Sequence, residues 1–356
     1  MNLLDLEKYN LLKKCDGFIE NAIDHISSFS MRKSTMFSGL DGVESKISQS
    51  RGLFVNNKTG EVIARGFDKF FNINENLDEN GECIISSRFT GDVSVYQKEN
   101  GFLGLVGYDS ESRDLFFASK NSSTSDFANR LKELFYELAT DDEIVHIRHI
   151  LKIKNACLVF EVIDVENDLH LIDYDDNKLI VIGLLSRTYD FSEFPYDFQE
   201  KQFGNLKNIM LKKKIGSFQN IESALGFLKH KKLARSEGWV INDNNNNYLK
   251  VKSDFYKRIR VLRSYIMAYR TKSGTVKYAS PQDLYDYAVI RLGSKSNHRE
   301  LNDEEREMIL SYLKVFTENS EVILNAFNNR KGAYSFVETY AVMEKLALEN
   351  GLKSFD

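Results

Sequence analysis

Lys98 stands at the end of a stretch in which apolar and polar residues alternate, and residues 99–101 after it end in a glycine. Far downstream, Glu237 precedes another glycine, and Lys250 and Lys252 are separated by one residue. A lysine amine can attack phosphorus and form a covalent intermediate. This layout predicts covalent nucleotidyl transfer, in which a lysine accepts a nucleoside monophosphate and passes it to a nucleic-acid end.

The residues downstream of Lys98 are of the types that this reaction needs. The amine must be neutral to attack, and nearby positive charges favour the neutral form. Lys250, Lys252 and a bound Mg²⁺ are expected to supply those charges. Because side chains alternate along a strand, Lys250 and Lys252 should share one face and hold the α-phosphate oxygens as they gain negative charge.

Other charged residues suit the rest of a nucleoside triphosphate and its metal. Arg51 and Lys69 are candidates for phosphate contacts, and an arginine allows a bidentate one. Glu237 and Glu161 offer carboxylate oxygens to Mg²⁺ or to ribose hydroxyls. Glu161 lies in an otherwise apolar run, where a carboxylate without partners is costly. Gly101 is expected to let the chain turn sharply beside the nucleotide.

Five strings of the sequence, in this order, resemble the nucleotidyltransferase motifs of ATP-dependent RNA ligases of the phage RNA ligase 1 type. They are residues 50–54, residues 64–72, residues 98–101, residues 158–162, and residues 237–240 with 249–252. The pair Arg51-Gly52 and the string Lys69-Phe70-Phe71-Asn72 are particular to that group, and DNA ligases and capping enzymes lack the latter. The resemblance covers about residues 35–255 and implies an ATP-dependent enzyme that joins RNA ends.

The resemblance also implies a role for each position. Lys98 would be the adenylated nucleophile, and Lys250 and Lys252 would bind the α-phosphate during catalysis. Glu237 and Glu161 would be the metal ligands, with Mg²⁺ as the metal and Mn²⁺ as a substitute. The positions that would contact ATP are Arg51, Lys69, Gln97, Gly101, Lys120, Glu161, Glu237, Lys250 and Lys252.

The implied reaction has three steps: formation of lysine-AMP, transfer of AMP to a 5′-phosphate RNA end, and attack by a 3′-hydroxyl that releases AMP. The lysine motif departs from the family pattern at two positions. Asn100 stands where the family usually has Asp, and Phe102 stands where it usually has Ser or Thr. Asn keeps the shape of Asp and its capacity for hydrogen bonds but drops a charge.

Composition narrows the class of protein. The 356 residues are more than one core usually serves, so we expect an adenylation domain over 1–255 and a helical domain over 256–356. The net charge of −4 argues against nonspecific coating of nucleic acid, although basic residues gather at 212–214, 229–235 and 250–263. Three scattered cysteines indicate reduced thiols in a cytoplasmic protein. Neither a signal peptide nor a long apolar span appears, so no membrane partner is expected.

The hydrophobic pattern predicts the elements that must position these residues. Residues 1 to about 26 have a helical pattern, and strands are predicted at 156–164, 170–174 and 179–184. Residues 239–242 and 248–252 are predicted to form a hairpin, and the strand pattern fades past about residue 255. We therefore predict an α+β fold: a nucleotidyltransferase domain with antiparallel sheets, followed by a C-terminal all-helical domain.

Two alternatives stay open. One is another nucleotidyltransferase, such as a DNA ligase or a GTP-using capping enzyme. The other is a catalytically weak or inactive ligase-like module that binds RNA, which the Asn100 substitution favours. The RNA partner is expected to be broken RNA such as cleaved tRNA. No P-loop occurs in the sequence, so a separate kinase or phosphatase would prepare the ends.

Overall fold

The computed structural model describes residues 3–32, 51–75, 83, 86–168, 170–231, 235–269, 278–294, 297–298, 300–328 and 336–356. Ser50 of the first string and residues 232–234 of the basic run lie outside these ranges. The chain divides into two compact units. The first comprises Met1–Phe70, Gly101–Ile163 and Asp176–Lys213, and the second comprises Phe71–Asn100, Asp164–Asp175 and Lys214–Asp356. Among the described helices, none is long and apolar enough to cross a membrane.

Helices and strands mix along the chain. The strands are β1 (Phe18–Ile23), β2 (Ile26–Met31), β3 (Leu53–Asn56), β4 (Val62–Arg65), β5 (Phe71–Asn72), β6 (Val93–Lys98), β7 (Phe102–Asp109), β8 (Asp114–Ser119), β9 (Ala156–Ile163), β10 (Lys178–Ser186), β11 (Ile209–Leu211), β12 (Lys214–Phe218), β13 (Gly238–Asp243) and β14 (Tyr248–Lys252). The helices are α1 (Leu3–Lys14), α2 (Asp126–Leu138), α3 (Asp141–Ile153), α4 (Tyr196–Phe203), α5 (Ile221–Lys229), α6 (Asp254–Tyr269), α7 (Pro281–Gly293), α8 (Asp303–Glu318), α9 (Ser320–Asn328) and α10 (Phe336–Glu349). The predicted α+β fold with C-terminal helices is confirmed.

The first unit contains two sheets. One is antiparallel in the order β1-β2-β3-β4, and the other has the order β11-β10-β9-β7-β8, with only β10 and β11 parallel. Helices α2 and α3 bury Leu131, Phe135 and Ile147 in one core with Phe160 of the second sheet. These rigid sheets fix the strand ends on which the candidate residues of this unit lie.

The prediction of a helix from residue 1 to about 26 was wrong beyond residue 14. Helix α1 ends at Lys14, and β1 and β2 form a hairpin in which Ile23 pairs with Ile26. Its two-residue loop begins at Asp24, whose φ of 52° lies in the left-handed region that such tight hairpin turns use. Aspartate adopts this conformation more readily than most residues, so the chain turns at Asp24 and the predicted helical pattern holds only as far as the end of α1.

The second unit has a sheet in the order β12-β6-β13-β14-β5, with only β14 and β5 parallel. One face of this sheet packs on α5. Val95, Trp239 and Val251 of the sheet share a buried cluster there with Ala224 and Leu228. Because side chains alternate along strands, residues one position away from this cluster lie on the opposite face.

Helices α6 to α10 pack around a second core of the same unit. Leu171 and Ile172, from the connection between β9 and β10, are buried in this core. The strand predicted at residues 170–174 was wrong, because this segment has no strand structure. The Leu171 amide is bonded to a side chain, Asn100 Oδ1, and not to a neighbouring strand.

Candidate active site

Lys98, Gly238 and Lys252 form one row across the sheet of the second unit. Lys98 of β6 pairs with Gly238 of β13, and Gly238 pairs with Lys252 of β14. Directly paired residues present their side chains on the same face, and the glycine places no side chain between the two lysines. Lys250, paired with Val240, lies on that face one row further along. The predicted alternation thus places all three lysines on one side of the sheet.

Glu237 joins the two outer lysines of this row. The Lys98 Nζ lies 2.8 Å from Glu237 Oε1, and the Lys252 Nζ lies 3.9 Å from the same oxygen. Lys98 also donates a hydrogen bond of 3.2 Å to the Glu99 carbonyl oxygen. Glu237 is buried, and burying a carboxylate is tolerable when cations and hydrogen-bond donors surround it. This carboxylate therefore fixes the amines of Lys98 and Lys252 close together.

The ammonium of Lys252 is weakened by its surroundings. The pKa of Lys252 is lowered to about 8, mainly by burial, while Glu237 acts to raise it and Arg260 and Lys98 add to the lowering. Its Nζ lies 4.8 Å from the centre of the Tyr256 ring, which stabilises the cation. Lys252 is therefore charged at neutral pH but poorly solvated, and it shares Glu237 with Lys98, so an anion such as phosphate would add to its counter-charge.

Asn100 holds the other oxygen of Glu237. Its Nδ2 donates to Glu237 Oε2 at 3.2 Å and lies 3.5 Å from the Tyr256 hydroxyl. Its Oδ1 accepts a hydrogen bond of 2.7 Å from the Leu171 amide, which establishes which end of the side chain is oxygen. The backbone N–H of Asn100 donates a hydrogen bond of 2.8 Å to the Tyr174 hydroxyl. An aspartate could accept from Leu171 but could not donate to Glu237.

Sequence reasoning missed Leu171, Tyr174 and Tyr256. The Tyr174 hydroxyl accepts from the Asn100 amide and donates to Glu99 Oε2 at 3.0 Å, so it braces two residues of the lysine motif. None of these contacts has a local sequence signal, because the partners are far apart along the chain. The one available signal was the asparagine itself, whose amide needs both a donor and an acceptor as partners.

In the first unit, Arg51 and Lys120 are neighbouring cations. Burial lowers the pKa of Lys120, and the charge of Arg51 lowers it further. Gly52 allows the chain beside Arg51 to lie close to Lys120. Its φ is +109°, and a Cβ at this position would lie 2.7 Å from the Lys120 carbonyl oxygen. Arg51 Nε is buried and has no hydrogen-bond partner among the described residues. Two such cations suit a phosphate group.

Gly101 and Glu161 are also brought together in the first unit. The Gly101 amide donates to Glu161 Oε1 at 2.8 Å, which gives the half-buried carboxylate a partner. A side chain at Gly101 would run into the Val162 carbonyl group of β9. The glycine is required by this close approach and not by a left-handed backbone, which Gly101 does not adopt.

Two further predicted residues are Gln97 of the second unit and Lys69 of the first. Gln97 pairs with Trp239, and strand alternation places it on the face of the sheet opposite to Lys98. Lys69 follows β4 in a segment without regular structure and is half-buried, beside Phe70, whose ring packs edge-on against Phe67 at 6.1 Å. Phe71 belongs to the apolar cluster beneath the second unit's sheet. The aromatic pair of the KFFN string therefore contributes to packing.

The same region of the chain matches a known protein family. Residues 49–265 match the family described as RNA ligase. The chain belongs to the RNA ligase family. This match spans Arg51 through Lys252 and confirms the resemblance seen in the sequence motifs.

Relatives of this RNA ligase family member include a tRNA ligase of Candida albicans, 31% identical over 175 residues, which are 42% of this chain and 21% of that protein. A protein of Thermovibrio ammonificans provisionally named an RNA ligase is 24% identical over 222 residues, covering 61% of this chain and 54% of its own length. The chain thus spans about a fifth and about half of these two relatives. An archaeal ATP-dependent RNA ligase is similar in structure, with a TM-score of 0.58 at 16% identity over 97% of this chain and 87% of that one. This likeness shows the fold.

Proposed function

We propose that this chain is an ATP-dependent RNA ligase that uses Lys98 as its nucleophile. The observation that carries this proposal is the row of Lys98, Gly238 and Lys252 with Glu237 bound to both amines. Family membership supports the reaction class, and the geometry supports the identity of the nucleophile.

In the first step, the neutral Lys98 amine attacks the α-phosphorus of ATP. A P–N bond forms, the bond from phosphorus to pyrophosphate breaks so that pyrophosphate leaves, and the amine passes one proton to water. Lys252 and Lys250, on the same face of the sheet, stabilise the charge that develops on the α-phosphate oxygens. Glu237 holds the Lys98 amine in place before ATP arrives.

In the second step, an oxygen of an RNA 5′-phosphate attacks the phosphorus of lysine-AMP, and the P–N bond breaks. In the third step, a 3′-hydroxyl attacks the activated RNA phosphorus and AMP leaves. Arg51, Lys69 and Lys120 keep the role that the family resemblance implies for them, which is to contact ATP. The paired charges of Arg51 and Lys120 support that role, because the charge of Arg51 lowers the pKa of Lys120 and Arg51 Nε has no hydrogen-bond partner among the described residues.

The predicted carboxylate ligands, Glu237 and Glu161, each suit an Mg²⁺ site that substrate phosphates and water complete. No cluster of three or more His, Cys, Asp or Glu side chains able to hold a metal occurs among the described residues. Mg²⁺ commonly binds through one or two carboxylates together with substrate phosphates and water. The family resemblance implies such a carboxylate in each unit, Glu237 in the second and Glu161 in the first, and a bound metal would neutralise phosphate charge.

Two arguments indicate the RNA substrate: the ends that the reaction requires, and the similarity of this chain to a tRNA ligase. A ligase of this type requires a 5′-phosphate and a 3′-hydroxyl, so a separate kinase or phosphatase would prepare ends of other kinds. The match to the tRNA ligase of Candida albicans supports cleaved tRNA as a candidate substrate.

The deciding experiment is incubation with α-labelled ATP and Mg²⁺, followed by a denaturing gel and intact mass. Wild type, Lys98→Ala and Lys345→Ala would be compared, since Lys345 is an exposed lysine on α10. We expect label on wild type and Lys345→Ala and none on Lys98→Ala. Label on Lys98→Ala would overturn the assignment of the nucleophile.

Two other outcomes would favour the alternative functions. Label from GTP but not from ATP would indicate a capping-type enzyme. RNA binding without any adduct, on protein shown by mass not to be adenylated already, would indicate a ligase-like RNA-binding module.

A further inference from the structure

A cavity of about 480 Å³ lies within the second unit, beside the proposed lysine site. Its walls come from α5, from the turn after β5, and from the junction of β14 and α6. Lys252, which is proposed to bind the α-phosphate, is one of the residues that line the cavity. Its volume falls in the range of pockets that bind small molecules.

The cavity walls combine cations, carboxylates and apolar groups. Lys252 and Arg260 lie close enough for Arg260 to lower the pKa of Lys252, and both line the cavity. Lys257 and Arg260 are paired with Asp254 and Glu300, at 2.7 Å each. Ile73, Leu225 and Val251 supply apolar wall. Such a combination suits a molecule with a phosphate, hydroxyl groups and a flat apolar part.

Gly226 gives an independent indication that the cavity is kept open. It lies inside α5 and lines the cavity, and a Cβ built on it meets no atom within 4 Å. Its backbone does not adopt the left-handed conformation that favours glycine. Glycine weakens a helix relative to alanine, so neither packing nor backbone geometry accounts for its presence. The open cavity wall does account for it, because a side chain at this position would occupy the cavity.

We propose that this cavity binds the terminal nucleotide of an RNA strand, with its phosphate toward Lys252 and Arg260 and its base against the apolar wall. This inference rests on the proposed function and names a binding site for its RNA substrate. The carboxylates favour a ribonucleotide, because a carboxylate accepts hydrogen bonds from ribose hydroxyls and a 2′-hydroxyl is what distinguishes RNA from DNA. Glu75 is placed for this role because it lines the cavity. Asn72 donates hydrogen bonds to both of its carboxylate oxygens and so holds the carboxylate in position.

The test fills the cavity without altering any charged group. Gly226→Phe projects a ring from the cavity wall, and Ser223→Phe adds the same ring at an exposed position of α5 that does not line the cavity. The single tryptophan, Trp239, is buried in the cluster that includes α5, so its fluorescence reports whether the helix and sheet still pack in each variant. Gly226→Leu, a smaller filling, serves if Gly226→Phe fails to fold.

Two rates are measured on each protein: lysine-AMP formation from ATP alone, and sealing of an RNA strand that already carries a 5′-adenylate. We expect Gly226→Phe to lower the sealing rate relative to the lysine-AMP rate, on the order of 100-fold, because the RNA end can no longer seat. Ser223→Phe should leave this ratio as in wild type.

The outcomes separate this inference from the proposed function. If wild type forms no lysine-AMP, the proposed function fails. If wild type seals RNA and folded Gly226→Phe seals it at the same rate, the cavity does not bind the RNA end. If Gly226→Phe loses lysine-AMP formation and sealing equally, the cavity binds ATP, and the assignment to RNA is overturned.

Discussion

The Asn100 side chain donates a hydrogen bond of 3.2 Å to Glu237 Oε2, while the other oxygen of Glu237 faces Lys98. Asn100 therefore acts on the nucleophile through Glu237 and is a positioning residue. Its Oδ1 is bound to the Leu171 amide, so the side chain cannot turn over without losing both bonds. The asparagine is thus complementary to its surroundings, although the family usually has an aspartate there.

Asn100→Asp should slow lysine-AMP formation by about ten- to a hundredfold, because it places a second carboxylate against Glu237. The deficit relative to wild type should shrink as the pH falls, since one proton shared by the two carboxylates restores a donor. Rates measured between pH 6 and pH 8.5 check this. A deficit independent of pH would indicate only a structural role.

A double-mutant cycle isolates the contact between Asn100 and Glu237. Asn100→Asp combined with Glu237→Gln exchanges donor and acceptor and keeps one carboxylate. We expect the rate of lysine-AMP formation in the double variant to exceed the rate expected from adding the two single losses by about 1 kcal/mol of activation free energy. Strictly additive losses would show that the two side chains do not act together.

Lys252→Met should abolish lysine-AMP formation and yet stabilise the fold by roughly 1–3 kcal/mol at pH 7, because the buried ammonium is removed. The pKa of Lys252 is about 8 in the folded protein and 10.5 ordinarily, so the cost of the charge is fully present below pH 8. This cost shrinks as the pH rises from about 8 to 10.5, because Lys252 has lost its proton in the folded state while it keeps the proton in the unfolded state. Urea unfolding at pH 7 and pH 9.5 measures this, with exposed Lys345→Met as the control. A gain of equal size at both pH values would contradict the argument.

Arg51→Ala should raise the KM for ATP by about ten- to a hundredfold, the usual loss for a charge-assisted hydrogen bond. Thermal stability should not fall, since the neighbouring Lys120 is relieved of a like charge that lowers its pKa. Steady-state kinetics and thermal melts of the same preparation test both parts. An unchanged KM would remove Arg51 from the nucleotide contacts.

Gly226→Ala should raise the free energy of unfolding by about 0.5–1 kcal/mol, because alanine favours a helix and its methyl group meets no neighbour. Chemical denaturation followed through Trp239 measures the change. Destabilisation would mean that the position is constrained in a way that the structure does not show.

The shared face of Lys250 and Lys252 was predictable because it depends on the strand period alone. Lys250 and Lys252 had to share a face, and β6, β13 and β14 bring Lys98 into register with them. The same rule puts Gln97 on the face opposite to Lys98, since adjacent residues on a strand face opposite sides.

The partners of Asn100 could not be predicted in the same way. Leu171, Tyr174 and Tyr256 reach it from segments distant in sequence, and hydrogen bonds of this kind leave no periodic trace. The hairpin of β1 and β2 was missed for the opposite reason. A local turn at Asp24 decided the structure there, and the spacing of apolar residues did not indicate it.

Each compact unit is assembled from three separate stretches, and this sets the order in which the chain can fold as it leaves the ribosome. The strand that carries Lys98 emerges long before its neighbours β12 and β13, which pair with it through residues 214–218 and 238–243. Until those residues are synthesised, both edges of β6 are unpaired and open to association with other chains. Synthesis that pauses before residue 214 would therefore prolong the exposure of the nucleophile strand, and chaperone dependence should be greatest at that point.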